Sequence, residues 1–187
     1  SSTDAIQQVM PEAALVTLTK SYRSSYEIMQ FARRIAPNPE LEAMERHGEP
    51  PQVRAYRTRR QEIDGIGAAI AAFQTGERNS LGIICKTQKQ AQRLCDALIE
   101  RGHNVRLIEA ESQSFTAGVL VCSAHMAKGL EFDAVIVPGA DARTYQTAMD
   151  RNLLYVACTR AMHQLTLTHT GNPAPFIADD AEQAATG

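Results

Sequence analysis

The sequence predicts a single three-layer α/β domain built on a mainly parallel sheet, and three observations carry this. First, apolar, β-branched runs of strand length recur at Leu81–Cys85, Val119–Cys122, Ala134–Val137 and Leu165–Thr168. They are nearly continuous rather than alternating, which marks strands covered on both faces. Second, Leu81 to Ile108 reads as strand, helix, strand, and such a crossover makes its two strands parallel. Third, 44% apolar and 21% charged residues over 187 positions are the proportions of a globular chain with one real core.

Residues 1–13 are polar and expected to be loose, leaving 14–170 as the folded domain. Leu15–Thr19 reads as a strand. Ser24 and Glu27 have capping-box spacing, so a helix should start there, with Ile28, Phe31, Ala32 and Ile35 as its apolar face and Pro37 and Pro39 ending it. Tyr22 and Arg23 are thereby held at a strand-to-helix corner. Leu41–Gln52 is charged and reads as a short helix or loop, and Val53–Tyr56 as a short strand. Ile63, Ile66, Ile70 and Phe73 recur at helical spacing, giving a helix from about 60 to 75 that Gly76 caps. Thr87 and Gln90 signal the next helix, with a stripe of Ala91, Leu94, Cys95, Leu98 and Ile99 closed by Gly102. Val105–Ile108 is a further strand. Asn152–Met162 is an apolar helical run with one charge, Arg160. After Gly171 the prolines Pro173 and Pro175 predict a tail, 171–187, that frays.

The net charge of −2 gives no overall basicity, so any contact with nucleic acid must be local. Arg54, Arg57, Arg59 and Arg60 are the one basic run. It reads either as a solvated strand end and helix start or as a phosphate-backbone contact. Cys85, Cys95, Cys122 and Cys158 show no metal-ligand spacing, and they are expected to be reduced core thiols of a cytoplasmic protein. No long apolar span or signal-peptide pattern is present, so a soluble chain without a membrane partner is expected. The absence of an initiating methionine suggests a piece of something longer.

In open α/β sheets ligands gather beyond the carboxyl ends of the strands. Three polar clusters are expected there or close by: Tyr22 with Arg23, then His125 to Glu131, then Arg160. These residue types suit a nucleotide. A ring stacks on a base, guanidiniums hold a phosphate bidentately, and a carboxylate accepts from a ribose hydroxyl. The chain has no G-x-x-x-x-G-K-[ST] and no acidic pair after a strand to hold magnesium. It offers the far wall of a phosphate site and not the cradle. Each residue also has a plain alternative. Arg160 could cap its helix, Tyr22 could be a half-buried ring, Glu131 a surface carboxylate beside Lys128, and His125 a satisfied core histidine.

The segments S-A-H-M-A-K-G-L-E-F-D and N-L-L-Y-V-A-C-T-R-A resemble motifs V and VI of superfamily-one helicases of the UvrD/Rep/PcrA type. L-T-K-S-Y-R-S-S-Y-E-I resembles their motif IV, with wording closest to the helicase IV/HelD-like branch. The three occur in the family's order and bracket residues 18–162. The resemblance implies a RecA-like lobe of the P-loop NTPase-like class that lacks its own P-loop, the C-terminal or 2A lobe of an ATP-dependent DNA translocase. It implies that Tyr22 stacks on adenine, that Arg23 and Arg160 reach the γ-phosphate with Arg160 as arginine finger, and that Glu131 binds the ribose. Ser123 and His125 would face single-stranded DNA or relay its position to the ATP site. Lys128 and Gly129 would shape their loop, Lys128 toward the strand and Gly129 toward the nucleotide. ATP and Mg2+ would be held mainly by an N-terminal lobe of the same polypeptide, and this chain alone would be inactive. The interval between motifs IV and V is accounted for by sheet and helix, so the 2B subdomain of larger members is expected to be missing or minimal. The alternative is a docking module that hydrolyses nothing, because HelD-like relatives associate with RNA polymerase.

Overall fold

The computed structural model describes residues 24–37, 46–110 and 117–185. The strand expected at Leu15–Thr19, together with Tyr22 and Arg23, lies outside them. Six parallel strands form one sheet in the order β1-β6-β5-β2-β4-β3. They are β1 (Gln52–Tyr56), β2 (Ser80–Cys85), β3 (Arg106–Leu107), β4 (Gly118–Ser123), β5 (Phe132–Val137) and β6 (Ala161–Thr170). Helix α1 (Tyr26–Ile35) precedes β1, α2 (Arg59–Thr75) joins β1 to β2, α3 (Gln88–Glu100) joins β2 to β3, and α4 (Ala148–Thr159) joins β5 to β6. The apolar faces divide cleanly. Ile28, Phe31 and Ile35 of α1 and Leu154 and Ala157 of α4 pack with Val135, Val137, Leu165 and Leu167 on one face of the sheet. On the other face, Ile66 and Ile70 of α2 and Leu94 and Leu98 of α3 pack with Leu81, Ile83, Val121 and Ile136. These are the three layers that the continuous apolar strands imply.

Between α1 and β4 the described residues form β1, α2, β2, α3 and β3. All four cysteines are buried and free. Desolvation pushes the thiols of Cys85 and Cys122 up to about 12, so they stay protonated and act as small apolar side chains. Among the described residues no helix is long and apolar enough to cross a membrane.

Several local expectations change. Ser25, not Ser24, caps α1, accepting from the Ile28 N–H at 3.5 Å. Glu27 does not close a capping box: it accepts from the Gly48 N–H at 2.8 Å and pairs with His47 at 2.8 Å. Thr87 and Gln90 do form the reciprocal box. Ile99, placed on the buried stripe of α3, is 54% exposed, because the covered arc of the helix ends at Leu98. The strand at Val105–Ile108 shortens to two residues. The run read as helical through Met162 stops at Thr159, and β6 begins at Ala161 with only Arg160 between them. After Gly171, where a fraying tail is expected, the described residues carry regular structure up to Ala185. A 3-10 turn (Pro175–Ile177) buries Ile177 in the core, and α5 (Ala178–Ala185) lies against the edge strand β1, where an uncovered edge would be open to further pairing.

One glycine sets the spacing inside the sheet. A Cβ on Gly82, in β2, would lie 2.6 Å from Cδ2 and 2.7 Å from Cγ of Phe132, whose ring is fully buried. Gly82→Ala therefore overpacks the centre of the sheet. A loss of about 1–3 kcal/mol is expected, read as a lower urea midpoint at unchanged slope. An unchanged midpoint would mean that the Phe132 ring moves aside freely.

Candidate functional site

The sheet places the polar residues at two opposite edges. Glu131 immediately precedes β5 and Arg160 immediately precedes β6, and Phe132 and Ala161 are register partners. The Phe132 N–H donates to the Arg160 carbonyl at 2.9 Å. Glu131 and Arg160 are thus neighbours at the amino ends of two adjacent strands. This corrects the expectation that these clusters gather at the carboxyl ends. Ser123, by contrast, is the last residue of β4, at the carboxyl edge.

The two edges are joined by residues 124–131. Both β4 and β5 pair parallel with β2, which lies between them, so this connection must cross β2 and descend the length of the sheet. A six-residue strand spans roughly 20 Å. The descent is a run of tight turns rather than a helix. The Ala124 N–H donates to the Cys85 carbonyl at 2.8 Å, Ala127 N–H to Ser123 O at 3.0 Å, and Leu130 N–H to Ala127 O at 3.0 Å. Small residues, Ala124 and Ala127, let the segment lie flat on the core. Gly129 adopts φ +80, with open space where a Cβ would sit, so glycine is needed there for its backbone and not for room. His125, Lys128 and Gly129 are exposed, and Glu131 is half-buried. His125 is therefore not a core histidine. Ser123 is buried, and its hydroxyl accepts from the Met126 N–H at 3.2 Å, closing the first turn.

Arg160 is the C-cap of α4 and half-buried. Its Nε donates to the Val156 carbonyl at 3.2 Å and its Nη2 to Thr159 Oγ1 at 3.2 Å. Burial lowers the pKa of the guanidinium, while the Glu131 carboxylate and Tyr155 raise it. An arginine nevertheless keeps its charge in proteins. The result is a desolvated cation, held by neutral oxygens, beside a carboxylate at an open edge. That arrangement suits an anion with a hydroxyl-bearing neighbour.

The basic run divides. Arg54 chelates the Gln52 side chain, at 2.6 Å through Nη2. Arg59 pairs with the buried Glu62 at 2.6 Å. Arg54 borders a cleft of about 700 Å³, with Phe73, Arg78, Ile136 and His163. Arg59 borders another of about 450 Å³ at the carboxyl ends of β2 and β5. Among the described residues, Ser123, His125, Lys128, Gly129, Glu131 and Arg160 line neither of these two clefts.

Two further polar groups escaped the sequence reading. Glu62, in the first turn of α2, is buried and accepts from the Gly139 N–H at 3.1 Å and from Thr168 Oγ1 at 2.7 Å. Asp150 pairs with Lys86 at 2.8 Å and takes the N–H groups of Gln146 and Thr147. These bonds, that of Lys86 first, hold its carboxyl well below the usual range. Only its place three residues after the N-cap Thr147 could have signalled it.

A six-stranded parallel sheet with helices on both faces defines the class, a RecA-like α/β lobe, here without a phosphate-binding loop. A family model described as the UvrD-like helicase C-terminal domain matches residues 118–168, from β4 into β6. The chain is similar to the crystal structure of the C-terminal domain of a possible DNA helicase from Lactobacillus plantarum WCFS1. That similarity is 37% identity with a TM-score of 0.73, covering 84% of this chain and 92% of that one. The chain belongs to the family of UvrD-like helicase C-terminal domains. No curated protein matches it.

Proposed function

We propose that this chain is the C-terminal motor lobe of an ATP-dependent DNA helicase or translocase, supplying one wall of an ATP site whose other wall belongs to an N-terminal lobe. The observation that carries the reading is that Glu131 and Arg160 stand side by side at the amino ends of β5 and β6, the carboxylate close enough to favour the charged guanidinium. Arg160 acts there as the arginine finger, meeting charge that develops on the transferred phosphoryl group. Glu131 accepts from the ribose, and Gly129 gives the backbone its turn toward the nucleotide. Tyr22 and Arg23 complete the set as base-stacking ring and second phosphate ligand. Support for Arg23 comes from its neighbour: the Ser24 hydroxyl bonds the Ala161 carbonyl at 2.5 Å.

ATP supplies the phosphoanhydride whose cleavage drives the cycle. The residues present fit its phosphate and ribose but not its magnesium. Among the described residues no group of three or more His, Cys, Asp and Glu side chains could hold a metal ion. Magnesium is assigned to the N-terminal lobe, as the resemblance implies. Exposed His125, near the other end of the same crossover, and exposed Lys128, midway along it, are assigned to single-stranded DNA, with Ser123 holding the first turn. One short segment then links the nucleotide edge to the strand edge, so lobe closure on ATP is felt where DNA is gripped.

The test compares this chain with its full-length parent. The parent should hydrolyse ATP, faster with single-stranded DNA, and the isolated chain should not. A folded parent without ATPase would favour the docking module over the motor, and ATPase in the isolated chain would defeat the half-site.

A further inference from the structure

We infer that Ser24 is a positioning residue for Arg160, a clamp that holds the finger's main chain at the helix-to-strand corner; this rests on the motor reading above. Arg160 is the single residue between α4 and β6, so its backbone must leave a helix and enter a strand without a loop. The last carbonyls of a helix have no partner within it and must find one elsewhere. Here every carbonyl from Thr159 to Met162 is met by another segment. Ser24 Oγ donates to Ala161 O at 2.5 Å and, more weakly, toward Thr159 O at 3.3 Å. The Phe132 N–H takes Arg160 O at 2.9 Å, and the Ser25 N–H takes Met162 O at 3.0 Å. Arg46 Nη2 also donates to Met162 O at 3.0 Å.

The division of labour between the two serines makes this specific. Ser25 carries out the capping of α1, which frees the neighbouring hydroxyl. Ser24 is only 3% exposed, in a place where an apolar side chain would pack without a polar atom to satisfy. Its one hydroxyl hydrogen is shared between the carbonyls on either side of Arg160. The clamp also ties the start of α1 to the corner that bears Arg160, across 135 to 137 positions of sequence.

The experiment is a double-mutant cycle in the full-length parent, with ATPase and thermal melting measured on each protein. Ser24→Ala is expected to lower kcat about tenfold or more with KM for ATP nearly unchanged, because small displacements of a phosphate ligand act on the transition state. Ser24→Thr, which keeps the hydroxyl, should recover most of that loss. In an Arg160→Ala background, Ser24→Ala should have no further effect on kcat while still lowering the melting temperature. If Ser24→Ala leaves kcat unchanged while Arg160→Ala abolishes it, the clamp is wrong and the motor reading stands. An equal further fall in kcat without Arg160 would also overturn the clamp, reducing Ser24 to general stability. Retention of ATPase by Arg160→Ala alone would remove the motor reading itself. Should Ser24→Ala fail to fold in the parent, the amide resonances of residues 159–162 in this chain, compared between wild type and Ser24→Thr, decide the matter. They should be nearly unmoved if the hydroxyl alone sets the corner, and a wide shift would overturn the clamp.

Discussion

Arg160→Ala in the full-length protein is expected to lower kcat for ATP hydrolysis by about a thousandfold or more, the range in which arginine fingers act. The fold should survive. Among the described residues the Arg160 side chain donates to Val156 O and Thr159 Oγ1 at its own helix end, and its backbone bond from Phe132 does not depend on the side chain. The loss of a cation at a helix C-terminus is worth about 0.3–1 kcal/mol. A thousandfold fall in kcat corresponds to about 4 kcal/mol, so the effect on activity exceeds that on folding by about 3 kcal/mol or more. Arg160→Lys is the sharper control. It keeps the charge and the helix-end position but loses the planar fork, so it should recover little of the rate. Steady-state kinetics with a melting curve on each variant checks both statements, and a kcat within tenfold of wild type for Arg160→Ala would remove the finger.

The second large effect falls on folding. Glu62→Ala should destabilise the domain by about 3–5 kcal/mol, because it breaks a buried charged network and orphans its partners. Glu62 is 1% exposed and receives bonds from three separate places: Arg59 on its own helix, the Gly139 backbone after β5, and Thr168 in β6. It is the polar lock between the start of α2 and the carboxyl ends of two central strands. Removing it leaves the Gly139 N–H and the Thr168 hydroxyl facing an apolar methyl. For a chain of this size the melting temperature should fall on the order of 10 °C. Glu62→Gln keeps the volume and one acceptor and should lose less. A melting temperature within about 2 °C of wild type for Glu62→Ala would show that water replaces the carboxylate at no cost.

These two residues also show what could be read early. Arg160 stood out because a charge on an apolar run demands a reason, and the resemblance supplied one. Glu62 did not, because a glutamate in the first turn of a helix is ordinary; only the return of Thr168 and Gly139 from over seventy positions later makes it a buried hub. Spacing along one segment cannot distinguish Ser24 from Ser25 as the cap, and the choice is made by the carbonyls of Thr159 and Ala161. The same limit explains Ile99 and the packed tail. An amphipathic stripe says which residues want cover, whereas the neighbouring elements decide how wide the cover is and whether a proline-rich end finds an edge to protect.

The sequence by itself determined the layered α/β class, five of the six described strands to within a few residues, the four described helices from α1 to α4, and the chemistry available for a nucleotide. All of these follow from local periodicity and residue type. Only the tertiary structure decided where that chemistry goes. Glu131 and Arg160 meet at the amino edge because β5 and β6 are register partners, and Ser123 and His125 are carried away from them because the chain must cross β2 between parallel strands. Adjacency across a sheet is a property of strand order, and no window of sequence contains it.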